Sequence, residues 1–532
     1  MTAPDIVYRG ATVVDGTGSP GYRADVHVAA GRVAEIDPAG GLAGGRVVDA
    51  DGLVLAPGFI DMHSHSDLRL LAEPDHLAKV SQGVTLEVLG QDGLSYAPVD
   101  DTTLTVLREQ LAGWNGDPPG FDWNWRDVGC YLGRLDKGVA VNAAYLVPHG
   151  TVRMLVLGQD DRPATDAELD RMREVVATGL REGAVGLSAG LTYAPGMYAD
   201  DRELTALCEV VAAHDGYFSP HHRSYGAGAL EAYQEMVALS LRTGCPLHLA
   251  HATMNFPVNA GRAGELLALL DDATAQGADV TLDSYPYLAG ATYLSALLPS
   301  WAAAGGAAAT LARLSDVDTR ERVRVELEES GSDGCHGVPV DWRAIEVNAV
   351  RLAANRHLVG KSVAESAAAA GVAPFDLFAD TLLAERLGTS CLMHVGDEAN
   401  VRAIMAHPAH TGGSDGLLVG DRPHPRAWGT FPRYLGHYVR ELGVLGLEEC
   451  VAHLTGRPAR RLRLADRGLV RPGHAADLVL FDPETVAERA TYDQPRQAAT
   501  GIPHVLVNGV PVISDGEPTG ELPGHSIRRV GA

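Results

Sequence analysis

Two histidines one residue apart, His63 and His65 in the stretch APGFIDMHSHSD, are the first residues of this chain that could do chemistry. Pro57-Gly58 breaks the apolar lead-in, and Phe59 to Met62 resume as a short strand-like run. On an extended strand, residues two apart point the same way, so both imidazoles can reach one point beyond the strand end. Two neutral imidazoles converging on a point are half of a divalent-metal site. A bare HxH is more often a pair of ordinary histidines, so ligands from elsewhere must decide. Candidates are Asp92 in GQDG, His221 or His222 in HHR, His248 or His251 in HLAH, and Asp415 in SDG.

The elements that could bring these together begin at Gly58. Short apolar strands are expected at about 58–63, 84–90, 138–147, 184–189, 216–221, 246–251, 279–285 and 409–415. Amphipathic helices alternate with them, most clearly Asp166–Arg181, Asp201–His214, Leu230–Thr243 and Gly261–Gln276. Eight strands alternating with helices predict an α/β fold, a closed (β/α)8 barrel. The seventh connection, about 288–408, is long enough to be an insertion with its own structure, a lid or pocket wall. Residues 1–56 and 467–532 alternate as β structure around Gly-rich turns. Both ends are expected to form one small β-sandwich beside a barrel of residues 57–466.

Chemistry in such a barrel sits at the C-terminal strand ends. Histidines and carboxylates recur at five of the eight ends read from the sequence. His221 is preferred to His222 because it ends its apolar run, and His251 to His248. His149, in VPHG, is equally placed to lean over the site or to be structural. Asp92 and Asp415, each beside glycine, could also simply close turns.

Composition narrows the partners. The chain has 532 residues, a formal net charge of -25 and a pI near 5.2. That argues against a nucleic-acid backbone or an anionic membrane, and for a soluble cytoplasmic protein with a small-molecule substrate. A homo-oligomer stays open. The six cysteines are scattered, form no CxxC pair and read as reduced thiols. No signal-peptide pattern and no run of about eighteen apolar residues is found.

In order along the chain, PGFIDMHSH, GLSAGLTYAPG, HHR, HLAH, YPY and GGSDG resemble the amidohydrolase superfamily, and within it the N-acyl-D-amino-acid deacylases. The likeness is most specific from Ser414 to Tyr438, SDG followed by DRPHPRAWGTFPRYLGHY. It implies zinc-dependent hydrolysis of the amide bond of N-acyl-D-amino acids. It implies His63, His65, His221, His251 and Asp415 as metal site and base, and Arg426 as binder of the substrate α-carboxylate. It also implies Tyr193 and Tyr285 as pocket walls. Relatives read GNCG where this chain has Gly90-Gln91-Asp92-Gly93, so Asp92 stands where a cysteine ligand is usual. Relatives often carry lysine where this chain has Thr253, and YPYTAGS becomes YPYLAGA, ending at Ala291.

A carboxylate is a harder ligand than a thiolate and can span two ions about 3.5–4 Å apart. One or two zinc ions are therefore expected, with Asp92 favouring a binuclear or more metal-tolerant site. The expected arrangement puts His221, His251 and Asp92 on one ion, and His63, His65 and Asp415 at a second position. The Ala/Gly-rich insertion suggests a pocket for a neutral or apolar side chain. Two alternatives are a cyclic-amide hydrolase of the hydantoinase or dihydroorotase type, and a metal-free scaffold with the same barrel. The former typically use a carboxylated lysine on the fourth strand, where this chain has Gly186-Leu187-Ser188-Ala189.

Overall fold

The computed structural model describes residues 4–529. Eight strands form the central sheet: β1 (Phe59–Asp61), β2 (Val84–Leu89), β3 (Asn142–Pro148), β4 (Gly186–Gly190), β5 (Tyr217–His221), β6 (Leu247–Leu249), β7 (Val280–Ser284) and β8 (His410–Gly412). They pair in parallel in sequence order. The ring closes where Met62 N–H donates to Gly412 O at 3.1 Å, and where Ser64 bridges Gly416 in parallel. This is the expected barrel. Its strands read as continuous apolar runs because both faces are buried, one by the barrel interior and one by the helices.

The helices follow their capping signals. Asp166–Arg181 starts with a capping box between Thr165 and Glu168 and buries Leu169, Met172, Val176 and Leu180. Asp201–Ala213 is capped by the Asp200 side chain, and Ala229–Thr243 ends at Gly244 in the left-handed region. No single helix among the described residues is long and apolar enough to cross a membrane.

Both chain ends meet in one further sheet. Its nine strands include Ile6–Val13, Tyr22–Ala29 and Val54–Pro57 from the start, and Leu478–Phe481, His504–Val507 and Val510–Ser514 from the end. The junction is antiparallel, Leu478 opposite Pro57 and Phe481 opposite Val54. The expected sandwich is thus a continuous sheet around its own core of Ile6, Tyr8, Val26, Val28, Leu478, Leu480 and Leu506. Backbone bonds between Val33 and the Gly473–His474 turn stitch the start of the sheet to the segment entering its last strands.

The insertion has a structure of its own. An antiparallel sheet joins Ala289–Tyr293, Ser390–His394, Ile345–Ala349 and Lys361–Ser362. It covers a separate core that includes Leu297, Trp342, Phe375, Phe378 and Leu382. The Ala/Gly-rich stretch forms the helix Gly306–Ser315. A charged stretch after it, Val317–Val325, is a second helix, whose Arg320 pairs with Asp376 and Asp380 of the helix Pro374–Ala384.

Candidate metal centre and active site

Six of the residues named from sequence converge at the C-terminal mouth of the barrel. Asp92 is at their centre. Its carboxylate lies 3.5 Å from His63 Nε2, 3.6 Å from His65 Nε2, 3.4 Å from His221 Nδ1 and 3.4 Å from His251 Nε2. Asp415 Oδ1 lies 3.2 Å from His65 Nε2 and 3.8 Å from His63 Nε2. Two ligand groups result, His63–His65–Asp92–Asp415 and Asp92–His221–His251, and Asp92 belongs to both.

The backbone is bent to achieve this. Asp92, His251 and Asp415 all have positive φ, at 54°, 31° and 47°. Non-glycine residues rarely take this conformation, and each costs on the order of 1–3 kcal/mol. The Asp92 turn is pressed so closely against its neighbours that side chains are excluded around it. A Cβ on Gly90 would meet Leu146 O at 2.2 Å, and one on Gly190 would meet Asp92 O at 2.1 Å. Asp67 pins the same turn, accepting from Gly90 N–H at 2.8 Å and Ser95 Oγ at 2.6 Å.

The remote ring nitrogens fix which atoms face inward. Thr192 Oγ1 lies 2.7 Å from His221 Nε2, and Tyr225 Oη 3.0 Å from His251 Nδ1. Such outer partners set the tautomer and aim the opposite nitrogen at a metal. Both His63 nitrogens and Asp92 Oδ1 are buried without a hydrogen-bond partner. Buried polar atoms without partners are rare and costly unless something else satisfies them. Burial works against charging His65, yet Asp415 and Asp92 push its pKa up to about 10. The cluster therefore demands positive charge. Imidazole and carboxylate donors around a shared centre fit a divalent metal such as zinc.

Arg426 stands behind Asp415. It is fully buried, its Nη2 lies 2.8 Å from Asp415 Oδ2, and its guanidinium carbon sits 4.4 Å from the Tyr285 ring centroid. Its Nε and Nη1 have no partner. Burial raises the Asp415 pKa, but Arg426, His65, His63 and His251 outweigh it and hold the carboxyl well below the usual carboxylate range. Tyr193 packs edgewise on Trp114 and lies against His221, and Tyr193 and Tyr285 both line the pocket.

The remaining histidines fall outside the cluster. His222 is packed between Tyr225 and Tyr233, and His248 bonds Asp283 and Thr281. His149 lies 2.7 Å from Glu203, which also binds Arg153, and it does not line the pocket.

Sequence reasoning missed the layer beneath. Lys79, one of only three lysines, is wholly buried. Its Nζ lies 2.5 Å from Asp61 Oδ2, 2.8 Å from Ser414 Oγ and 3.3 Å from Glu87 Oε2. Asp61 Oδ1 also accepts from the N–H of Ser414 and of His63. This network ties the end of β1, with its two histidines, to the end of β8, with Asp415. Asp283 was missed as well, although a charged residue inside the apolar run VTLDS was a readable signal.

Comparison with known proteins agrees with this geometry. The pattern of the amidohydrolase family matches residues 46–513. A D-aminoacylase from Alcaligenes xylosoxydans xylosoxydans is 35% identical over 99% of this chain and 98% of its own. The chain belongs to the amidohydrolase family, in its D-aminoacylase branch. An N-acyl-D-glutamate deacylase from the same organism is 36% identical over 99% of this chain and 96% of its own. Among solved structures, a D-aminoacylase with a binuclear metal centre, described as activated by one metal and attenuated by a second, has a TM-score of 0.82 at 34% identity. An N-acyl-D-glutamate deacylase from Bordetella bronchiseptica, solved with zinc and a phosphonate mimic of the tetrahedral intermediate, has a TM-score of 0.83 at 34% identity. Both cover 99% of this chain and 100% of their own. A D-hydantoinase shares the fold alone, at 16% identity and a TM-score of 0.56. This amidohydrolase has no lysine on β4.

Proposed function

We propose that this chain is a zinc-dependent hydrolase of N-acyl-D-amino acids, releasing a carboxylate and the free D-amino acid. One observation carries the reading: a single carboxylate, Asp92, within 3.4–3.6 Å of four imidazoles, in a chain similar over its whole length to D-specific deacylases. His221, His251 and Asp92 would hold one ion. His63 and His65, with Asp92 and Asp415, would hold or approach a second.

Zinc held there supplies a lowered water pKa, to about 7, and a Lewis acid for the carbonyl. The chain's own groups do the rest. Asp415 takes one proton from the attacking water and passes it to the leaving nitrogen. The water oxygen bonds to the acyl carbon, and the C–N bond breaks. Arg426 keeps Asp415 ionised, and its unpartnered Nε and Nη1 are donors suited to the substrate α-carboxylate. Tyr285 and Tyr193 wall the bound substrate. Among the described residues the pocket lining itself holds no lysine or arginine, Arg426 lying behind Asp415, and it includes Thr253, Ala291, Met393 and Val395. An acidic side chain would find no fixed cation there, so neutral and apolar D-amino acids are the expected substrates.

The test is a screen of N-acyl-D- and N-acyl-L-amino acids with metal-stripped enzyme titrated with zinc. Zinc-restored turnover of N-acetyl-D-leucine above N-acetyl-D-glutamate is expected. Turnover confined to L-substrates or cyclic amides would overturn the assignment.

A further inference from the structure

Beside the substrate pocket lies a second, larger cavity. Its volume is about 430 Å³, against about 80 Å³ for the pocket over Asp92. The two share Phe256, Met393 and Val395, so these side chains form the partition. Beyond it, the walls are largely apolar, with Val338, Pro339, Val340 and Ile345, and the far end reaches solvent beside Asp341 and His394.

Phe256 is held in an unusual state. Its φ is 67° and its ψ 154°, a region almost reserved for glycine, although Pro257 follows and normally imposes an extended backbone with negative φ. Its N–H donates to Val395 O at 2.7 Å, which ties it to the insertion. Strain of this kind persists where the surroundings over-determine it, and it clusters at ligand clamps and switch points.

We propose that the outer cavity receives the distal part of a long apolar acyl chain on the substrate nitrogen, with Phe256 as the gate. The proposal rests on the deacylase reading above. The inner pocket is far smaller than the roughly 300–1,000 Å³ usual for ligand sites, so a long chain has to extend beyond it. The partition is the part of its wall with space behind it. Phe256 lies three ring contacts from the metal cluster, through His336, Tyr225 and His251, at centroid spacings of 5.7, 5.6 and 5.2 Å. An amino-acid side chain spans fewer bonds than a fatty acyl chain. A fatty acyl chain has the reach to pass Phe256, and the outer cavity's opening to solvent sets no sharp limit on its length. The reaction is the same hydrolysis, giving a fatty acid and the D-amino acid.

The experiment compares N-acetyl-, N-butanoyl-, N-octanoyl- and N-dodecanoyl-D-leucine on the zinc-loaded enzyme. Burying one methylene corresponds to about a threefold to fourfold gain. The octanoyl-to-acetyl ratio of kcat/KM should therefore exceed roughly tenfold, even if only a few methylenes cross the partition. Ala344→Phe, which intrudes on the outer cavity alone, should pull that ratio toward one. Phe256→Gly, which removes the gate and suits the backbone, should raise it. A ratio at or below one in the unaltered enzyme would overturn the proposal without any variant, and so would a ratio that Ala344→Phe leaves unchanged. N-acetyl turnover with no gain on lengthening removes this inference alone. No turnover of any N-acyl-D-amino acid removes the deacylase reading with it.

Discussion

At the scale of single residues, Asp92 and Arg426 carry the consequences most open to test. A carboxylate at the midpoint of four imidazoles can bind on both sides, whereas its amide offers one weak acceptor. Asp92→Asn is expected to lower bound zinc, measured by elemental analysis, and to reduce kcat/KM by more than about 100-fold, above the usual outer-partner effect. Full metal content and full activity in that variant would rule out a ligand role. Arg426→Ala is expected to cost at least about tenfold more with free-acid substrates than with their α-amides, because a charge-assisted bond is lost only with the former. The comparison cancels the effect of the same substitution on Asp415. Lys79→Met would leave Asp61 and Glu87 buried without their cation, at a cost of about 3–5 kcal/mol in chemical denaturation. Adding Asp61→Asn should recover part of that loss if the pair acts as a unit.

At the scale of elements, the eight barrel strands were legible because parallel strands buried on both faces write themselves as short apolar runs. Asp166–Arg181 was legible to the residue because its capping box and its apolar face agree. The clustering of the candidate ligands was legible because strand ends mark the catalytic face of a barrel. Lys79 was not. Its partners Asp61 and Ser414 lie 18 and 335 positions away, and pairing over such distances leaves no local pattern. The sheet of the insertion was hidden for a similar reason. Ala289–Tyr293 pairs with Ser390–His394 across about a hundred residues, and no turn signal joins them. Phe256 also gives no warning in sequence, since its strain exists only between β6 and the insertion. The capping box itself is testable. Thr165→Ala should cost about 1 kcal/mol in thermal or chemical unfolding and leave metal content unchanged.

At the scale of the whole molecule, the two chain ends act on the site although neither contributes a ligand. Val54–Pro57 pairs with Leu478–Phe481, and only Gly58 separates it from β1 and its two histidines. A chain ending after residue 467 keeps all six cluster residues but loses the support of that strand. It is expected to bind less zinc and to expose the core around Leu55 and Tyr8, measured by metal analysis and by binding of a hydrophobic dye. Zinc content equal to that of the whole chain would show that the sheet is dispensable to the site.

The same junction has a meaning in time. The strand that leads into His63 leaves the ribosome before its partner at Leu478, which follows about 420 residues later. At about 5–20 residues per second that interval is roughly 20–80 s. During it His63 and His65 are tethered to an unpaired sheet edge, and the other candidate ligands emerge one after another. The support of that strand therefore reaches the site only after all six cluster residues have been made.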